Sequence, residues 1–141
     1  MNCFRFRENR GYIGQFLQYM KQGIYSLNRN TTFNRDWNNK KQSSFIINII
    51  KRFPISPLYF VENSLGIYLI LDGFNRLQTI KNFYENKLVI YSKDGELDGK
   101  TFSSILPLYQ NRIEDCILTW YIGENLSPDD YTQIFNILNK R

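Results

Sequence analysis

The chain has 141 residues, 43% of them hydrophobic, which suffices for one compact core and falls short of two. Its formal charge is +5, spread along the chain rather than gathered into a run, so an anionic partner is permitted and not demanded. Histidine is absent, which excludes His-based nucleophilic or acid–base catalysis, a His-ligated metal centre and HNH nuclease chemistry within these residues.

Two cysteines, Cys3 and Cys116, cannot build a multi-bridge scaffold and do not stand at a metal-binding spacing, so a reduced intracellular compartment is expected. There is no alanine and Val61 and Val89 are the only valines, a bias that points to an A/T-rich coding sequence of the kind found in many phages and large viruses. Arg5, Arg7 and Arg10 interrupt the apolar positions of the first residues, so no continuous run of a secretory signal forms, and no stretch reaches membrane-spanning length. A soluble protein without a membrane partner follows, with residues 1–10 as a flexible, solvated start. The alternative for that start is nucleic-acid contact, through the same arginines interleaved with Phe4 and Phe6.

From Gly11 to Gln22 the apolar residues Ile13, Phe16, Leu17 and Met20 recur at helical spacing and predict a short amphipathic helix. Leu27 to Asn39 reads as a polar loop that carries Phe33, Arg35 and Trp37. Ser43 to Lys51 predicts a second helix, ended by Phe53-Pro54 because a residue before proline avoids helical angles. Pro57–Val61 and Gly66–Leu71 are short runs of aromatic and branched residues around a turn-compatible linker, and they predict a hairpin. After Asp72-Gly73 the period changes, and Phe74–Glu85 predicts a third helix.

Lys87–Tyr91 is expected as a further strand, followed by a glycine-bearing turn over 93–100. Cys116–Ile122 has strand composition, with Cys116 as a buried, inert thiol. Ser127-Pro128-Asp129-Asp130 has the chemistry of a helix start: a serine cap, a proline at the first helical position and acids at the positive end of the dipole. That capping role accounts for the two aspartates, and Trp37 and Trp120 are expected as core or loop anchors. No repeat or linker divides the chain, so a single α+β domain over 1–141 is expected.

The chemistry concentrates at residues 70–80, where a carboxylate (Asp72), a glycine (Gly73), an amide (Asn75) and a guanidinium (Arg76) meet as an apolar strand becomes a helix. Amide N–H groups at a helix start and an arginine in its first turn favour a phosphate, and glycine lets the ligand approach the backbone. Asp72 would then ligate Mg²⁺ or position water. The competing reading makes Asp72 a helix cap, Gly73 a tight turn and Arg76 a surface residue.

The stretch Asp72-Gly73-Phe74-Asn75-Arg76-Leu77-Gln78-Thr79-Ile80 resembles the Asp-Gly-Gln-Gln-Arg-Leu-Thr-Thr signature of the N-terminal domain family of GmrSD-type modification-dependent restriction enzymes, within the ParB/sulfiredoxin-like superfamily. Phe33-Asn34-Arg35-Asp36-Trp37 resembles that family's aromatic-Gln-Arg-x-x-Trp stretch, Phe53-Pro54-Ile55-Ser56-Pro57 its Pro-Ile-Pro lead into the hairpin, and Ile134–Asn139 its Ile-Phe-x-x-Ile-Asn segment. The resemblance implies a small mixed sheet flanked by helices and a site that binds a nucleoside triphosphate, with Mg²⁺-dependent hydrolysis, acting with DNA or a partner nuclease. In that picture Arg35, Gly73 and Arg76 hold the phosphate, Asp72 engages Mg²⁺ or water, and Asp72 and Asn75 are the catalytic pair. Phe74 and Asn75 depart from the two glutamines of the signature. Shortening an amide by one methylene withdraws it by about 1.5 Å, which favours retained binding over turnover. The alternative is a catalytically degraded copy serving as a structural or interaction subunit, for instance of a viral assembly.

Overall fold

Strands that share a sheet but lie far apart in sequence find one another through their apolar faces, and here they do so around a short central pair. In the computed structural model, which describes Met1, residues 3–27 and residues 36–139, five strands form one mixed sheet in the order β1-β5-β3-β4-β2. They are β1 (Arg5–Tyr12), β2 (Tyr25–Ser26), β3 (Leu58–Glu62), β4 (Tyr68–Asp72) and β5 (Ile117–Glu124). The helices are α1 (Ile13–Lys21), α2 (Asn39–Ile50), α3 (Phe74–Tyr84), α4 (Pro107–Glu114) and α5 (Pro128–Leu138). The domain is therefore α+β with a mixed sheet, as expected. β1 runs antiparallel to β5, β5 parallel to β3, β3 antiparallel to β4, and β2 parallel to β4.

Alternation along the central strands sends side chains to two cores. Leu58, Phe60, Ile70, Leu118, Trp120 and Ile122 join residues of α1, α2, α3 and α4 in the larger one. Val61 and Leu71 face the other way, where Ile134, Phe135 and Leu138 of α5 cover them. The sheet thus lies between a helical layer and the single helix α5. Trp120 is buried, and its Nε1–H donates to the Tyr25 hydroxyl at 2.8 Å, which satisfies its one polar atom.

Two sequence expectations are corrected, and one helix was not expected. Residues 5–12 are not a flexible start: they pair with β5 along their whole length. Arg7 is held there by Glu124 Oε1 at 3.1 Å and by the Tyr68 hydroxyl at 3.1 Å. Residues 87–91 are not a strand. Leu88 and Ile90 are buried, but the segment bonds to the following loop and to α2: Ile90 N–H donates to Lys100 O, Ile90 O accepts from Gly99 N–H, and Tyr91 N–H donates to Ser43 Oγ. The apolar alternation there recorded burial without sheet pairing. Helix α4 was not anticipated because, of its residues, only Ile113 is buried, which leaves no apolar period to detect.

The predicted helix over 74–85, the hairpin of β3 and β4 and the strand over 116–122 stand, and the helix expected over 11–22 begins at Ile13, because Gly11 and Tyr12 pair with β5. The predicted helix 43–51 begins earlier, at Asn39, because the Asn38 side chain accepts from Lys41 N–H at 2.9 Å and caps it. Ser127 and Asp130 form a reciprocal capping box at the start of α5, the role assigned to that segment. Among the described residues no helix is long and apolar enough to cross a membrane.

Candidate functional site

Asp72 is the last residue of β4, and the pairing with β3 shifts register immediately before it: Tyr59 opposes Asp72 while Phe60 opposes Ile70. A bulge of this kind re-aims side chains at a strand end. Leu71 keeps its place in the smaller core, and Asp72 is delivered to the junction with α3. The competing sequence reading of Asp72 as a helix cap does not hold. Gly73 is the cap residue of α3, and Asp72 stands one residue before it, at the end of β4.

Gly73 is there for two local reasons. Its φ is 109°, outside the range that residues with a Cβ adopt readily, and an added Cβ would lie 2.3 Å from Leu58 Cδ2. Leu58 is fully buried, so the glycine is set by packing beneath the site as well as by the turn.

Arg76, one turn along α3, ion-pairs with Asp72 through Nη2 to Oδ2 at 3.3 Å. Its Nη1 donates to Ser56 O, and Nη2 reaches Pro57 O at 3.4 Å, so the guanidinium fastens the first turn of α3 to the lead-in of β3. The Arg76 side chain is 15% exposed, which overturns the alternative of a free surface residue. Asn75 turns its Oδ1 to Trp37 N–H at 3.1 Å, tying α3 to the residues that precede α2.

These elements enclose a cleft of about 430 Å³ lined by Asp36, Trp37, Asn38 and Lys41 on one side and by Asp72 to Arg76 on the other. Trp37 packs edge-on to Phe45 with ring centres 5.4 Å apart, and Lys41 Nζ lies 5.0 Å from the centre of the indole. Of the residues expected to form the site, Asp72, Gly73, Asn75 and Arg76 share this cleft. Arg35 lies outside the described residues, as does Phe33. Asp36, Asn38 and Lys41 were not anticipated: asparagine is a good cap residue, but Lys40 and Lys41 in the turn after it oppose the helix dipole and mask the signal.

The charged side chains of the lining balance, Lys41 and Arg76 against Asp36 and Asp72, and the Asp72–Arg76 pair is largely internal. The electrostatic character of the cleft then rests on the first turns of α2 and α3, which both line it. Each helix start carries roughly half a positive charge. The arrangement suits a compact anion between two helix starts, with Lys41 at the rim. Among the described residues no group of three or more His, Cys, Asp or Glu side chains stands together to hold a metal ion. The carboxylates that line the cleft are Asp36 and Asp72, the second already paired with Arg76, and two such donors would leave a bound Mg²⁺ most of its water.

No protein-family model, curated protein or solved structure matches the chain.

Proposed function

We propose that the cleft between the starts of α2 and α3 binds the phosphate group of a nucleoside triphosphate, and that the domain acts as a nucleotide-binding module together with DNA or a partner nuclease. The observation that carries this reading is that two helix starts, Lys41 and the Asp72–Arg76 pair line one cleft. The choice of a nucleotide rests on the resemblance of residues 72–80 to the family signature. Arg76 holds the first turn of α3 in place and Lys41 supplies the exposed cation. Asp36 and Asp72 are the side chains that would hold Mg²⁺, which when bound would neutralise charge on the phosphate oxygens. Binding is the primary activity and hydrolysis is slow, because the Asn75 amide oxygen is already used to hold Trp37 N–H.

Calorimetric titration of ATP, GTP and CTP with Mg²⁺ against the wild type, Lys41→Ala and Arg76→Ala tests the reading. Loss of the charge-assisted Lys41 contact should weaken binding by roughly 1.5–3 kcal/mol, and Arg76→Ala should weaken it by releasing the first turn of α3. No heat with any nucleotide, or equal isotherms for the three proteins, rejects it.

The same two hydrogen-bond sets favour a second reading, in which the site persists as a structural junction of an interaction subunit. Asn75 and Arg76 both act within the chain, on Trp37 and on Ser56 and Pro57. That reading predicts no nucleotide binding and a loss of stability, rather than of affinity, in Arg76→Ala.

A further inference from the structure

At the other end of α2 from the candidate site, a second cleft of about 460 Å³ runs between the end of α2, α4 and the start of β5. Phe53, Leu108 and Ile117 line it, and all three are large apolar side chains left more than half exposed, at 61%, 53% and 51%. Arg10, Arg52 and Arg112 line it as well, against one carboxylate, Asp115. Scattered exposed apolar residues need no explanation, but three around one groove with a cationic rim do.

The local chemistry at the end of α2 sharpens the point. Arg52 N–H donates to Ile49 O and Phe53 N–H to Asn48 O, the pattern that ends a helix with a left-handed residue, and Arg52 takes that position with φ 68°. Glycine is the residue that occupies it without strain, and the residue that follows normally packs back on the helix. Here an arginine bears the strained backbone and Phe53 points outward. Both departures from local preference place a side chain in the same groove, where the fold itself gains nothing from them.

We infer that this groove docks an acidic segment of a partner protein, with bulky apolar residues seated against Phe53, Leu108 and Ile117 and carboxylates paired with Arg10 and Arg52, while Arg112, which donates to Ile50 O, adds its charge to the wall from within. An apolar centre with an arginine rim is the usual anatomy of such a site. A second copy of this chain fits poorly, because a two-fold pairing would set two copies of a net-cationic groove, three arginines against one aspartate, face to face. Nucleic acid fits poorly too: the groove offers a single aromatic ring, Phe53, among aliphatic walls, and bases bind on ring faces.

Fluorescence anisotropy tests this on the full chain. The probes are a labelled peptide alternating Asp and Glu with Leu and Phe, its counterpart with Lys in place of the acids, and an oligothymidylate. The acidic peptide should bind, more weakly as salt rises, and the Lys counterpart should not. Leu108→Asp, at an exposed position, should abolish binding. Arg52→Gly should raise the denaturation midpoint and weaken the peptide about tenfold, a combination that a purely structural arginine would not give. Unchanged peptide affinity in Arg52→Gly, equal binding of the two peptides or absence of binding overturns the inference. Tighter binding of the oligothymidylate assigns the groove to nucleic acid instead. A wild-type dimer that Leu108→Asp dissociates assigns it to a second copy.

Discussion

Replacing Gly73 with alanine separates two roles the residue could have in the candidate site, access for a ligand and packing of the strand–helix junction. Its φ of 109° and the 2.3 Å approach of an added Cβ to Leu58 Cδ2 both oppose a side chain. Left-handed backbone costs a residue bearing a Cβ about 1–2 kcal/mol, and overpacking a core typically about 1–3 kcal/mol. Gly73→Ala should therefore destabilise the domain by about 2–5 kcal/mol, a large part of an ordinary domain stability of about 5–15 kcal/mol. Urea denaturation would show this as a lower midpoint at unchanged slope. Gly99 provides the control, because its φ is 75° and nothing lies within 4 Å of a Cβ placed there. Gly99→Ala thus carries the backbone cost alone, and the difference between the variants isolates the Leu58 clash. Equal losses in the two would refute the packing argument. A Gly73→Ala protein as stable as the wild type but unable to bind nucleotide would assign the glycine to the ligand.

Tyr25→Phe should destabilise by about 1–3 kcal/mol, because the buried Trp120 Nε1–H loses its acceptor. Burial raises the Tyr25 phenol above its usual value of 10.0, although the Trp120 hydrogen bond works the other way. The folded state therefore keeps the proton longer than the unfolded chain, so this contribution is complete below about pH 10 and declines as pH rises through the folded value. Chemical denaturation across that alkaline range should show a steeper decline in the wild type than in Tyr25→Phe. Native-state labelling with a thiol reagent should modify the exposed Cys3 well before Cys116, whose thiol burial raises above 9.0; comparable rates would count against the packing of β5 and α4. Asn38→Ala removes the cap of α2 and should lower stability by about 1 kcal/mol, read from the thermal midpoint. Asn75→Ala releases Trp37 N–H and should increase iodide quenching of tryptophan fluorescence, a signal that reports Trp37 because Trp120 is buried.

What the residues revealed in advance was local. Helical spacing in 13–20 and 74–84, the paired apolar runs of β3 and β4 and the serine cap of α5 each declare themselves within a few residues. β1 was missed because its partner lies more than a hundred positions away: Arg5 opposes Glu124, and nothing near Arg5 announces that pairing. The strand expected over 87–91 failed for the converse reason. Its alternation records burial of Leu88 and Ile90, and periodicity alone does not say whether a buried extended segment bonds to a sheet or to a serine on a helix. The cleft was half legible. Asp72 to Arg76 stand together in sequence, whereas Lys41 and Trp37 reach the cleft only because Asn38 starts α2 beside it.

Arg76 ties three elements together at the edge of the candidate site. Its guanidinium takes up Ser56 O and Pro57 O, backbone acceptors just before β3, while pairing with the carboxylate that β4 delivers through its bulge. The two strands of the hairpin and the start of α3 are thereby locked by one cation, and the charge of Asp72 is neutralised where a phosphate would otherwise meet it. In the proposed reading, attraction for an anion then rests on the helix starts and Lys41, whose contribution depends on α2 beginning where Asn38 begins it. The cap of α2 and the Asn75–Trp37 hydrogen bond are thus the connections through which the fold sets the geometry of the cleft, although neither side chain need touch the ligand.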